Sequence, residues 1–244
     1  MSSKILDDSA DAPLIMALPN GRILGEVMPL LSRAGVEPEP AFSDPAARQL
    51  RFSTSDPGLE LIRVRSFDVA TVVAFGAAQL GIAGNDVLME FDYSEIYAPL
   101  DLGVGLCRMV VAAPADWAAH EDPRSWSHIR VATKYPEIAR RHFAARGVQA
   151  ECIKLNGAVE LAPLIGLSRH IVDLVQTGAT LAANGLVEIE NIAEISSRLI
   201  VNRPALKTRS EEVGGWIERL RQASERAPQG RSRVGAAIAA AAAS

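Results

Sequence analysis

A chain of 244 residues is long enough for one large domain or two small lobes, with a proper core and no need of disulfide staples. Its composition is 48% hydrophobic and 22% charged, with 18 Gly and 14 Pro, which excludes collagen, coiled coil and wholesale disorder; aromatics at 5% call for an aliphatic core. A net charge of −4 argues against non-specific nucleic-acid binding, and two cysteines are too few for a disulfide framework or a zinc site.

The segment from Met1 to Asp11 carries acids where a signal peptide needs bases and an apolar run. The longest apolar stretch, 69–84, contains Gln79 and three glycines and falls short of the roughly 20 residues of a membrane span. A cytoplasmic protein with no membrane segment is expected. Residues 1–12 read as a disordered extension and 227–244 as a low-complexity, Ala-rich tail.

Between these ends the pattern alternates strand and helix. Leu14–Leu18 is an apolar strand running into Pro19-Asn20-Gly21-Arg22; Ile23, Val27, Leu30 and Leu31 then recur at helical spacing until Gly35. Leu59–Val64 is a strand, Asp68 caps a helix through Phe75, and Leu80–Ala83 is a buried strand followed by Gly84-Asn85-Asp86 and a short helix to Glu90. Leu106–Ala112 and Ile129–Thr133 are strands, and Pro136 opens a helix that Gly147 ends. Cys152–Leu155, Ile171–Val175 and Ile195–Val201 are strands. Ala158–Ile165, a segment from Thr180 and the amphipathic run Glu211–Glu225 are helices. Such alternation predicts an α/β fold with largely parallel sheets covered on both faces. The segment 105–187 forms one compact set, so two lobes are expected, 13–104 plus 188–226 and 105–187, with a cleft between them.

The most informative stretch is Ile171 to Leu181, in which a hydrophobic strand runs into Thr177-Gly178-Ala179-Thr180 and a helix starts. Ligands of open α/β sheets bind beyond the carboxyl ends of strands, and a helix N-terminus there offers unpaired N–H groups to a phosphate. Gly178 permits close backbone approach, Thr177 and Thr180 add hydroxyl donors, and Asp173 is placed to accept from sugar hydroxyls. Helix capping by Thr177 after a turn is the competing reading, and spacing alone leaves both open.

The residues from Glu160 to Leu181, ELAPLIGLSRHIVDLVQTGATL, resemble the signature of the ATP phosphoribosyltransferase family, which opens histidine biosynthesis. The blocks ALPNGRI from Ala17, DVATVVAFGAAQLGIAGNDVLME from Asp68, VATKYP from Val131 and ISSRLIVN from Ile195 are similar to further family blocks. Asn20 stands where the family commonly has Lys, so that lysine's contact is not carried over. The length matches the short form of the family.

The resemblance implies a two-lobed fold like the type II periplasmic binding proteins, with mixed, mostly parallel sheets and an inter-lobe cleft. It implies that N1 of the ATP adenine is joined to C1′ of phosphoribosyl pyrophosphate with release of pyrophosphate. Asp173, Thr177, Gly178, Ala179, Thr180 and Glu160 would bind phosphoribosyl pyrophosphate. Arg65 and Arg22 would be catalytic through charge stabilisation, and Asp86, Lys134 and Arg33 would line the ATP side, Arg33 toward a neighbouring subunit. The basic residues are 21 Arg and 4 Lys, and Arg suits bidentate phosphate contacts. Mg²⁺ would be held mainly by substrate phosphates, with no protein metal site. The implied partner is a separate regulatory subunit similar to histidyl-tRNA synthetase, in a hetero-octamer built on catalytic dimers. His120, His128, His142 and His170 read as surface or packed residues, and Cys107 and Cys152 as buried thiols. Glu90, like Glu160, orients site groups or caps a helix. Two other readings of the same scaffold are a non-catalytic module binding a small anion and an enzyme homologue that has lost activity.

Overall fold

A computed structural model of the chain describes residues 12–44 and 46–226. The extension expected over 1–12 lies outside the described residues except for Ala12, and the tail expected over 227–244 lies outside them altogether.

In chain order the elements are β1 (Leu14–Pro19), α1 (Arg22–Arg33), β2 (Arg51–Ser53), β3 (Leu59–Val64), α2 (Ser66–Ala74), β4 (Leu80–Gly84), α3 (Asn85–Phe91) and β5 (Ile96–Asp101). There follow β6 (Cys107–Pro114), α4 (Ala115–Ala118), β7 (His128–Thr133), α5 (Pro136–Ala144), β8 (Gln149–Lys154), α6 (Leu161–Leu164), β9 (His170–Val175) and α7 (Ala179–Ala183). The chain closes with β10 (Leu186–Ile195), β11 (Ser197–Asn202), α8 (Arg203–Thr208) and α9 (Ser210–Glu225).

Two mixed sheets result. The first has the order β2-β3-β1-β4-β11-β5 and the second β10-β6-β9-β7-β8. Each has a parallel centre, β3-β1-β4 in one and β8-β7-β9 in the other, with antiparallel strands added beside it. The central strands read as near-continuous apolar runs because both faces are covered. Leu14, Met16 and Leu18 of β1 point into one core with α1 and α9, whereas Ala17 points to the other face with Val69 and Val73 of α2. In the second sheet Met109, Val111, Val131 and Val172 pack with α5, and Val110, Ala112, Ala132 and Ile171 face α6 and α7.

The chain crosses between sheets twice, over 102–106 and at Ser196. The crossings hydrogen-bond each other: Leu102 N–H donates to Ser197 O at 3.0 Å, and Ser197 N–H donates to Val104 O at 2.8 Å. The second lobe therefore runs to Ile195, a correction to the expected boundary at 187, because β10 pairs with β6. That strand carries two register shifts, between Glu188 and Glu190 and between Asn191 and Ala193, which blur the period-two pattern by which a strand is recognised. Helix α2 also begins at Ser66 rather than at Asp68; Arg65 takes the cap position, and the Asp68 N–H bonds back to the Arg65 carbonyl at 2.8 Å.

Candidate active site

Parallel pairing sets the carboxyl ends of β3, β1 and β4 side by side, with Pro19 opposite Val64, and Asn20 N–H donates to Val64 O at 2.9 Å. That register places the turn Asn20-Gly21-Arg22 next to Arg65. Gly21 has φ 87°, a conformation that glycine reaches without a Cβ penalty, and α1 starts at Arg22. Both arginines are exposed; Nη1 of Arg22 donates to Oε1 of Glu26 at 2.6 Å.

At the end of β4, Asp86 is buried. Its Oδ2 accepts from the Tyr135 hydroxyl at 2.8 Å, and its carboxylate accepts the backbone N–H groups at the start of α3. A Cβ on Gly84 would lie 2.0 Å from Asp86 Oδ1, so the residue before this turn has to be glycine. Burial raises the Asp86 carboxyl, with the hydrogen bond from Tyr135 working in the other direction. Asp86 thus links the two lobes through the Tyr135 hydroxyl.

Tyr135 belongs to the second lobe, and sequence reasoning did not single it out. Its hydroxyl is pushed far above the ordinary phenol range by burial and by the neighbouring Asp86. The ring lies 5.4 Å from Phe67 of the first lobe, and the Lys134 ammonium sits 4.1 Å above that same Phe67 ring. Glu90 of α3 reaches across as well: its carboxylate accepts the N–H of Glu137 at 3.1 Å and of Ile138 at 3.0 Å, capping α5 of the other lobe. Of the readings open for Glu90, capping is the one seen, between lobes rather than within one.

The second-lobe rim is formed by the ends of β7 and β9. Thr133 Oγ1 donates to Val172 O at 2.7 Å and accepts the Tyr135 N–H at 2.9 Å, which fixes the turn that carries Lys134. Asp173 is half-buried near Lys134 and Glu160; burial pushes its carboxyl up to about 6, and Glu160 adds to the rise. Gly178 takes the left-handed conformation, φ 79° and ψ −3°, at the cap of α7, and Thr177 Oγ1 accepts the Ala179 N–H at 3.4 Å. Thr177 and Thr180 are exposed, and a Cβ on Gly178 would meet nothing nearer than Glu188 Oε1 at 3.8 Å. Glu188 is held by Arg108 at 2.6 Å, a second residue that sequence reasoning missed because β10 was not foreseen.

Arg33 is not brought to this site. It ends α1, about 16 Å along the helix from Arg22 at about 1.5 Å per residue, and its Nε donates to Ala223 O at 3.0 Å. Its place within this chain is at the α1–α9 contact. Cys107 and Cys152 are half-buried, and desolvation raises both thiols, Cys107 to about 11. His170 is buried against Glu121 at 2.7 Å and His142 lies 3.3 Å from Glu190. A cavity of about 650 Å³ lined by Trp117, Trp126, His128, Arg169 and His170 opens at the other end of the second sheet and holds none of the predicted site residues. Among the described residues no group of three His, Cys, Asp or Glu side chains is placed to hold a metal ion, and no helix is long and apolar enough to cross a membrane.

The family model described as HisG, ATP phosphoribosyltransferase, matches residues 65–222. An ATP phosphoribosyltransferase of Paramagnetospirillum magneticum is 70% identical over 210 residues, 86% of this chain and 96% of that one. Among solved structures, the ATP phosphoribosyl transferase (HisG:HisZ) complex from Thermotoga maritima is 33% identical with TM-score 0.73, over 87% of this chain and 98% of that chain. The periplasmic aliphatic sulphonate binding protein SsuA of Escherichia coli, 13% identical with TM-score 0.54 over 93% of this chain and 77% of that one, shares the two-lobed fold. The matched blocks cover the turns that present Arg65, Asp86, Lys134 and the 177–180 loop, and the chain belongs to the ATP phosphoribosyltransferase family, whose reaction is the first step of histidine biosynthesis.

Proposed function

We propose that the strand-end rims of the two lobes carry this phosphoribosyl transfer, with the loop 177–180 holding the 5′-phosphate of phosphoribosyl pyrophosphate. The observation that carries the reading is Gly178, left-handed and half-buried just beyond the carboxyl end of β9, between two exposed threonines. Asp173, ionised above about pH 6, accepts from the ribose hydroxyls, and Glu160 shares that acidic neighbourhood. Arg22 and Arg65 meet the pyrophosphate and stabilise the charge that grows on it as the C1′–O bond breaks. The adenine N1 lone pair attacks C1′, the bond electrons leave with pyrophosphate, and the transition state is oxocarbenium-like, so the protein acts by positioning and charge. Lys134, carried on Phe67, faces the ATP phosphates.

The family's divalent metal is read here as Mg²⁺ that arrives with the substrate phosphates, since this ion keeps several waters and takes only one or two carboxylates. Asp173 is the carboxylate chemically suited to it. The partner is read as a HisZ-type regulatory subunit, of the kind in the Thermotoga maritima complex, and the assembly as a cytoplasmic hetero-octamer around catalytic dimers.

The test is the assay of the chain with its partner, ATP, phosphoribosyl pyrophosphate and Mg²⁺, followed by adduct absorbance, on wild type and Gly178→Ala. The added methyl meets no protein atom nearer than 3.8 Å, but the left-handed φ of +79° strains any side chain there, so a melt is run beside the kinetics and the loop assignment is read from the contrast between the two substrates. The Michaelis constant for phosphoribosyl pyrophosphate should rise roughly tenfold or more, equivalent to about 1.4 kcal/mol, with that for ATP nearly unchanged. Equal loss for both substrates in a folded variant refutes the loop assignment.

A further inference from the structure

Glu26 lies one helical turn after Arg22 and touches two things. Its Oε1 accepts from Arg22 Nη1 at 2.6 Å, and its Oε2 accepts from the backbone N–H of Gly105 at 2.7 Å. Gly105 sits in the first of the two segments that join the lobes. Its φ is +68°, and a Cβ there would come 2.6 Å from Ile23 Cδ1 and 2.8 Å from Ser197 Oγ. The start of α1 is therefore seated directly on the crossing, through Ile23 by packing and through Glu26 by a charge-assisted hydrogen bond.

An exposed i,i+4 ion pair by itself holds a guanidinium poorly, being worth only about 0.3–0.5 kcal/mol. The second anchor changes this, because a carboxylate fixed on a backbone N–H has already lost most of its rotamer freedom. The contact also engages Arg22 at Nη1 only. The Nε–Nη2 edge, the one that meets a phosphate in bidentate fashion, is left for ligand. We propose that Glu26 is a positioning residue: it ties Arg22 to the inter-lobe crossing, so that the guanidinium's place in the cleft is set by the crossing itself. This rests on the reading of Arg22 as the residue that meets pyrophosphate.

Glu26→Gln tests it. The amide oxygen keeps an acceptor for Gly105, but an N–H₂ now faces Arg22 and pushes it away. In the assay with partner subunit, kcat should fall roughly 10- to 100-fold, the scale of a small misplacement, while the melting temperature stays close to wild type. Glu26→Asp should recover part of the loss. Arg22→Gly supplies the specific readout: added guanidinium ion should rescue its turnover when Glu26 is present and fail to do so in Arg22→Gly/Glu26→Gln. If Arg22→Ala has near-normal turnover, the reading of Arg22 fails. If Arg22→Ala is crippled but Glu26→Gln has wild-type kcat, or guanidinium rescues both backgrounds equally, Glu26 has no positioning role.

Discussion

Arg22 and Arg65 stand exposed on the strand ends of the first lobe, whereas Lys134, Tyr135 and Asp173 on the second lobe are half or wholly buried. The first rim is held by one carboxylate at Arg22 and, for Arg65, by no side-chain partner among the described residues. The second is held by a hydroxyl–carbonyl bond at Thr133, by Tyr135 on Asp86, and by Phe67 beneath Lys134. Tyr135 on Asp86, Lys134 on Phe67 and Glu90 on α5 bring cross-lobe contacts together beside the second rim. One rim is thus built from buried, hydrogen-bonded groups, whereas the other presents exposed cations, Arg22 tied to Glu26 and Arg65 open to ligand phosphates. A preformed acidic wall carries a desolvation cost that an exposed cationic one does not.

Removing a charge from the exposed rim should break catalysis without touching stability. Arg65→Ala is expected to cost about 2–4 kcal/mol of transition-state stabilisation, as for other lost charge-stabilising donors, with a change in unfolding free energy within about 0.5 kcal/mol. Steady-state kinetics beside a denaturant melt decides it. A large loss of stability with intact turnover would mean that the two rims are built alike.

The buried rim should respond in the opposite sense. Asp173 has a native pKa of about 6 against an ordinary 3.8, so between those pH values the folded state keeps a proton that the unfolded chain has lost. Stability contributed by this group is therefore highest below about pH 4 and declines as pH rises to about 6, by up to about 3 kcal/mol. Asp173→Asn should remove that decline, making the variant more stable than wild type at pH 8 and equal to it near pH 4, while activity is lost. Melts across pH 4–8 that run parallel for the two proteins would show that Asp173 is not desolvated.

The cross-lobe bond gives the smallest effect. Tyr135→Phe leaves the buried Asp86 carboxylate without its hydroxyl donor, a loss expected to cost about 1–3 kcal/mol. Since burial already raises Asp86, the penalty should be largest at high pH, where the carboxylate must stay ionised, and should shrink on acidification. A pH-independent penalty would mean that the lost hydroxyl bond does not depend on an ionised Asp86.

Much of this was legible in the sequence because it is local. The strand–turn–helix punctuation at Gly21, Gly84 and Gly178 is a property of a few consecutive residues, and the positive φ of Gly21 and Gly178 is one that any reader of turn chemistry can anticipate. The parallel strands announced themselves as apolar runs, which also placed Arg22, Arg65, Lys134 and Asp173 at strand ends. Short edge strands such as β2, and β10 with its two register shifts, lack that period and were not foreseen. The sequence set Arg33 at the end of α1, and the structure adds its contact there with the carbonyl of Ala223. The pairs Asp86–Tyr135, Glu90–α5 and Glu26–Gly105 join residues 47 to 79 positions apart on elements that meet only once both sheets have formed. Periodicity determines which face of an element is buried; which partner covers it is decided by how the two cores pack against each other.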